Sequence, residues 1–218
     1  MITQFSISEN RGIEKLRVDD LNVYSIGIST GGIAELRMAS LPSRYITATT
    51  VDENGLQYAE KNVADAGLTK QIKLKLEDVA SELPYSDNYF DFIYARLVLH
   101  YLPKDELNLA LLSLHRILKP GGLFFGVVRS STCEHAHMAD STYDPVTELT
   151  EYTEIDNEGK TIRLRRHFFS EDAFAAYVKS AGFAVSSTTS YDEHLYKDFR
   201  RTVPDRRTDN LVELLATK

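Results

Sequence analysis

In the stretch YSIGISTGGIAEL (24–36) an apolar run leads into a turn with glycines at 27 and 31, then into helix-forming residues. Glycine at such a turn lets a ligand lie against bare backbone at the carboxyl end of a strand, where a side chain would collide and a positive φ is often needed. The chemistry served is the holding of a nucleotide-like molecule. A tight turn required by packing alone is the competing reason for both glycines. Asp52 and Asp78 each follow a strand-like run, where a carboxylate can accept hydrogen bonds from a ligand. The plainer readings are a helix cap for Asp52 and an exposed strand-end acid for Asp78.

Other reactive side chains are scattered. Cys133, His135 and His137 fall within five residues, but no further histidine or carboxylate at a convincing spacing completes a ligand set, so no metal is expected. His100, in LVLHYLP, suits a packing role better than a pocket-facing one. As a general base, His100, His135, His137 and Tyr143 are equal candidates, and no catalytic residue is singled out. Arg163 and Arg165 alternate along one strand face while Arg166 points away. This is the pattern of a solvated edge. With Arg200, Arg201, Arg206 and Arg207 it leaves open an entrance suited to an anionic substrate.

The elements that must position these groups alternate between strand and helix patterns, which favours a layered α/β fold. Strands are expected at 22–28, 45–51, 72–79, 90–95 and 122–130, with helices at 30–41, 53–67 and 107–118 between them. In the second of these helices, 53–67, Leu56, Ala59, Val63 and Ala66 form the apolar face and Gly67 the C-terminal cap. The polar run STCEHAHMADSTYDP reads as a loop over the mouth of the sheet, and 150–169 as a β-hairpin around AsnGluGly. A helix capped by Ser170 and two strands at 183–196 and 210–218 complete the chain.

Its 218 residues, 43% hydrophobic, allow one well-buried core, so a single domain over 1–218 is expected. A formal net charge of −7 argues against broad binding to phosphate backbones. Nucleic acid is therefore an unlikely partner by charge, and a small molecule is the default. The longest apolar runs, such as LFFGVV (123–128), fall far short of a membrane span, and MITQFSISEN lacks a signal core. One cysteine leaves no internal disulfide, which fits a cytoplasmic protein. Oligomeric state is not legible.

Four pieces in order, IGISTGG (26–32), LKLEDV ending beyond Asp78, LPYSDNYFDFIYARLVLHYLP (83–103) and LHRILKPGG (114–122), resemble the class I S-adenosylmethionine-dependent methyltransferases. The resemblance implies a doubly wound, mostly parallel seven-stranded sheet with an antiparallel C-terminal strand, here with a small β-hairpin insertion. It implies a cofactor-binding half at about 1–130, a substrate-side cover at about 131–218 that carries Tyr143 and Tyr152, and S-adenosylmethionine as cofactor. The positions it assigns to cofactor contact are Gly27, Ile28, Ser29, Gly31, Thr50, Val51, Asp52, Asp78, Val79 and Ala95. Ser25 stands where the family has its first acid, Ser29 at the middle glycine, and Thr50 at the ribose acid, with Asp52 or Glu53 within a short register shift. The reaction implied is attack on the sulfonium methyl by a small-molecule acceptor, in which alignment and exclusion of water do most of the work. Those three substitutions also motivate an alternative, a methyltransferase-like protein that binds without transferring.

Overall fold

The computed structural model describes residues 6–28, 30–155, 159–196 and 204–218, without the side chains of residues 30, 196 and 204–208. Ser29, Arg200 and Arg201 lie outside the described residues, as do the side chains of Arg206 and Arg207. The first half runs α1 (Ile7–Glu14), β1 (Asn22–Ile26), α2 (Ile33–Met38), β2 (Tyr45–Thr50), α3 (Glu53–Asp65), β3 (Ile72–Leu76), β4 (Phe90–Arg96), α4 (Lys104–Ile117) and β5 (Leu118–Arg129). The second runs β6 (Thr142–Tyr143), β7 (Thr150–Ile155), β8 (Thr161–Arg166), α5 (Glu171–Ser180), β9 (Ala184–Tyr196) and β10 (Pro204–Thr217).

Seven strands form one sheet in the order β3-β2-β1-β4-β5-β10-β9, and β10 runs opposite to the other six. The doubly wound, mostly parallel architecture is as expected. Between β1 and β4 the chain order reverses direction across the sheet, and such a reversal opens a crevice at the carboxyl ends of the strands. Strands buried on both faces read as continuous apolar runs. Accordingly Val23 to Ile26 are all buried, as are Phe92 to Ala95. Helix α4 covers one face with Leu107, Ala110, Leu111, Leu114 and Ile117.

Several boundaries differ from expectation for local reasons. In α3, Gly55, Ala59 and Val63 are buried, but Ala66 is exposed because the helix stops at Asp65 and turns through Gly67 at φ 71°. The hairpin of β7 and β8 gains a third strand, β6, from the preceding loop. Helix α1 has no apolar stripe, and its buried positions are Ser8, Glu9 and Gly12. It is held by tertiary contact instead: Gly12 lies so close to the rings of Tyr94 and Phe125 that an added Cβ would come within 2.5 Å of Tyr94.

Candidate functional site

A cleft of about 280 Å³ opens at the carboxyl ends of β1, β2, β3 and β4, close to the lower end of small-ligand sites at about 300 Å³. Gly27 and Ile28 follow β1, Thr50 and Val51 follow β2, Glu77 to Val79 follow β3, and Leu97, Val98, Tyr101 and Leu102 follow β4. Six of the ten residues assigned from the sequence therefore converge here: Gly27, Ile28, Thr50, Val51, Asp78 and Val79. Four do not. Ser29 is outside the described residues. Ala95 is fully buried in the core, and its strand instead delivers Leu97 and Val98. Asp52 is the exposed N-cap of α3, its carboxylate accepting from Asn54 N at 3.0 Å. Gly31 faces α3: its carbonyl accepts from Asn62 Nδ2 at 2.8 Å, and an added Cβ would meet Asn62 and Tyr58.

The turn is held by backbone and by a relocated acid. The N–H groups of Gly27 and Ile28 both donate to the Thr49 carbonyl, at 2.7 and 2.8 Å. Gly27 has φ 71°, and an added Cβ would lie 2.1 Å from Val98 Cγ2. The buried hydroxyl of Ser25 donates to the buried carboxylate of Glu35 at 2.6 Å. A carboxylate thus stands behind the turn after all, supplied by α2 rather than β1. Its sequence signal was an acid on the inward face of the helix after the glycines.

Two more features escaped the sequence reading. Glu77 lines the cleft beside Asp78 and accepts from the Tyr24 and Tyr85 hydroxyls at 2.7 and 2.8 Å. Burial pushes both phenols up in pKa, with Glu77 reinforcing the shift, so they remain donors. Leu97 has φ 58°, a conformation that costs a residue with a side chain about 1–3 kcal/mol and tends to persist at functional sites. Thr50 Oγ1 accepts from Asp52 N at 3.1 Å, which leaves the Thr50 hydroxyl proton available to a guest. Apolar Ile28, Val51 and Val79 can flank a planar ring. The lining fits an adenosyl group.

Residues 24–126 match the family described as a methyltransferase domain. With the sheet order described above, this match supports a class I S-adenosylmethionine-dependent methyltransferase. A ubiquinone/menaquinone biosynthesis C-methyltransferase from Rickettsia akari is 26% identical over 184 residues, 77% of this chain and 71% of that protein. A sterol 4-C-methyltransferase from Caenorhabditis elegans is 30% identical over 112 residues, 51% of this chain and 32% of that one. Among solved structures, an S-adenosylmethionine-dependent methyltransferase from Methanosarcina mazei superposes with a TM-score of 0.73 at 20% identity, covering 94% of this chain and 96% of that one. The (4+2)-cyclase SpnF superposes at 0.65 and 19% identity, covering 96% and 79%. The cofactor of this methyltransferase is S-adenosylmethionine. No helix among the described residues is long and apolar enough to cross a membrane.

On the cover side of the methyltransferase, Arg163 and Arg165 face solvent and meet Glu151 at 3.0 Å and Asp144 at 3.7 Å. Arg166 points the other way and is buried. These two therefore form the solvated edge read from their alternation and do not line an anionic entrance, because the strand turns them outward into ion pairs. Asp91 is structural, accepting from Asn22 N and Lys119 Nζ. Cys133 Sγ lies 3.4 Å from His135 Nδ1 and 3.8 Å from Asp209 Oδ1. These three bring ligand-type atoms within 4.8 Å of one another, a convergence hidden in the sequence because Asp209 is distant along the chain. Arg129 holds the Asp209 carboxylate, and His137 turns aside to the Ser131 carbonyl at 2.7 Å. Burial alone would push the Cys133 thiol up, but its hydrogen bonds to His135 bring it below its ordinary value. The same bond, with Glu154, pushes His135 up to about 9.

His167 stacks on Phe169 at 3.9 Å, and burial pushes its pKa down to about 4 against the opposing pull of Glu148. The unfolded chain takes up this proton first, near pH 6.5. Stability from a neutral His167 is thus complete above about pH 6.5 and falls as pH drops toward 4, by at most about 3 kcal/mol. Buried His100 contributes with the same sign. In urea unfolding at pH 7.5 and 4.5, His167→Phe, which keeps the stacking, is expected to lose about 1–3 kcal/mol less on acidification than the parent. Equal losses would mean that His167 is protonated in the fold.

Proposed function

We propose that this methyltransferase holds its cofactor in the cleft at the ends of β1 to β4 and transfers the methyl group to a small-molecule acceptor. Convergence of Gly27, Ile28, Thr50, Val51, Asp78 and Val79 from three strand ends carries the reading. Gly27 and Ile28 offer close backbone approach, Thr50 one hydroxyl for the ribose, Val51 and Val79 apolar faces for adenine, and Asp78 an acceptor for its amino group. When bound, the cofactor supplies an electrophilic sulfonium methyl. The chain's own task is to align the acceptor and keep water out. Relatives named as C-methyltransferases of small molecules support that acceptor class.

Calorimetric titration with S-adenosylhomocysteine tests the site. Saturable micromolar binding is expected, and no heat together with no thermal shift at millimolar ligand would defeat it. A second reading, binding without methyl transfer, is favoured by Ser25 and Thr50 in place of acids, and the fold also houses a protein named as a cyclase. Binding of the cofactor without turnover on any acceptor would select it.

Thr50 gives a sharper handle. A carboxylate accepts ribose hydroxyls in charge-assisted bonds, so Thr50→Asp is expected to tighten S-adenosylhomocysteine binding by about tenfold, or roughly 1.4 kcal/mol. The new carboxylate can still accept from Asp52 N, as Thr50 does. Weaker binding in the same titration would assign the ribose to Asp52.

A further inference from the structure

Arg166 ends β8 with only 8% of its surface exposed. Among the described residues its Nε and Nη1 have no hydrogen-bond partner, and Nη2 reaches the Tyr101 hydroxyl at 3.4 Å, longer than a good N–H···O bond. The guanidinium lies over two rings, 5.2 Å from the centre of Tyr101 and 5.5 Å from that of Tyr152. Around it, both ring nitrogens of His100 and the hydroxyl of Tyr152 are buried without partners among the described residues. Asp209, the acid on this side, is engaged by Arg129.

Such an arrangement is unfavourable by itself. A guanidinium keeps its charge when buried, and an uncompensated buried charge or orphaned donor is strongly destabilising. Arg129 adds repulsion, which together with burial pulls the Arg166 pKa down. Aromatic faces offset only part of this. Among the described residues no carboxylate forms an ion pair with this guanidinium, and an anion would balance it. Two unused nitrogens of Arg166, one N–H of neutral His100 and the Tyr152 hydroxyl provide up to four donors, matching the lone-pair sites of one carboxylate.

The cluster is one ring away from the cleft. Tyr101 lines the cofactor cleft, and the Arg166 guanidinium lies over the Tyr101 ring. We infer that Arg166, His100, Tyr101 and Tyr152 form an anion subsite that takes the carboxylate or phosphate group of the methyl acceptor. This rests on the methyltransferase reading and names the acceptor's chemistry: an oxyanion at one end, held behind Tyr101, and the methylated atom at the other, on the cleft side.

The test titrates the full chain with benzoate, phenyl phosphate and neutral benzamide, with and without S-adenosylhomocysteine. Benzoate or phenyl phosphate is expected to bind and raise Tm while benzamide does neither, and the tighter of the two anions identifies the group. Arg166→Met should weaken the anion by about tenfold or more and leave S-adenosylhomocysteine within about twofold. Without anion, that variant should melt at or above the parent's Tm, because only the long bond to Tyr101 and the two ring contacts are lost while a buried charge is removed; an arginine with a structural role would lower it. Should Arg166→Met fail to fold, Tyr152→Phe, expected to weaken the anion by about fivefold, replaces it. Equal stabilisation by benzamide and benzoate, or anion binding unchanged in Arg166→Met, overturns the inference. Loss of S-adenosylhomocysteine binding in the parent would instead defeat the cofactor site, and the arm without cofactor would still decide the anion subsite.

Discussion

Replacing Gly27 by alanine is expected to cost about 2–5 kcal/mol of folding stability and to weaken S-adenosylhomocysteine severely. Two separate causes add. At φ 71° an L side chain pays about 1–2 kcal/mol for the left-handed conformation. The new Cβ would also lie 2.1 Å from Val98 Cγ2, an overlap that must push Val98, and overpacking of this kind costs about 1–3 kcal/mol. Val98 and Gly27 both line the cleft, so the displacement falls on the ligand's side. The double variant Gly27→Ala/Val98→Ala separates the causes. Relief of the overlap should make it less destabilised than the sum of the single changes, leaving the conformational part. Urea unfolding gives the stabilities and calorimetry the affinities. Gly27→Ala with wild-type affinity would place the ligand elsewhere.

The strand and helix order was legible because each central strand is a continuous apolar run and the longer helices between strands are amphipathic. β1, β4 and α4 are the clearest cases, buried where their patterns say. α1 was not legible, since its buried residues are Ser8, Glu9 and Gly12 and its place is set by Tyr94, Phe125 and Glu193, far away in sequence. In the cleft, residues at strand ends could be read by position: Thr50, Val51, Asp78 and Val79 all line it. Roles set by side-chain direction could not. Gly31 turns to α3, Glu35 supplies the carboxylate missing at Ser25, and Glu77 joins the cleft through two tyrosine hydroxyls. Arg166 is the extreme case. Alternation along β8 separated it from Arg163 and Arg165, but which face was inward depended on the cover's packing against His100, whose carbonyl accepts from His167 N at 2.7 Å.

Glu193→Ala is expected to destabilise the fold by about 3–5 kcal/mol, the usual range when one partner of a buried ion pair is removed. Its side chain is 2% exposed, and it accepts from Arg96 Nη2 at 3.1 Å and from Ser8 N at 2.8 Å. Arg96 Nε in turn donates to Ser8 Oγ at 2.6 Å. One carboxylate therefore joins α1, the end of β4 and β9. Losing it strands the Arg96 guanidinium, itself 10% exposed, and leaves the Ser8 N–H unpaired. Replacing both charges, as Arg96→Met/Glu193→Leu, should recover most of the loss, because buried pairs stabilise little over apolar groups of similar volume. Arg96 directly precedes Leu97, the strained residue in the cleft wall, so Glu193→Ala should also weaken S-adenosylhomocysteine and speed hydrogen exchange in α1. A cost below about 1 kcal/mol in urea unfolding would mean that water reaches the pair. In that case α1 would owe more of its place to Gly12 against Tyr94 and Phe125, beside the ion pairs of Arg11 with Glu213 and Glu9 with Arg37, and Gly12→Ala would become the more damaging change.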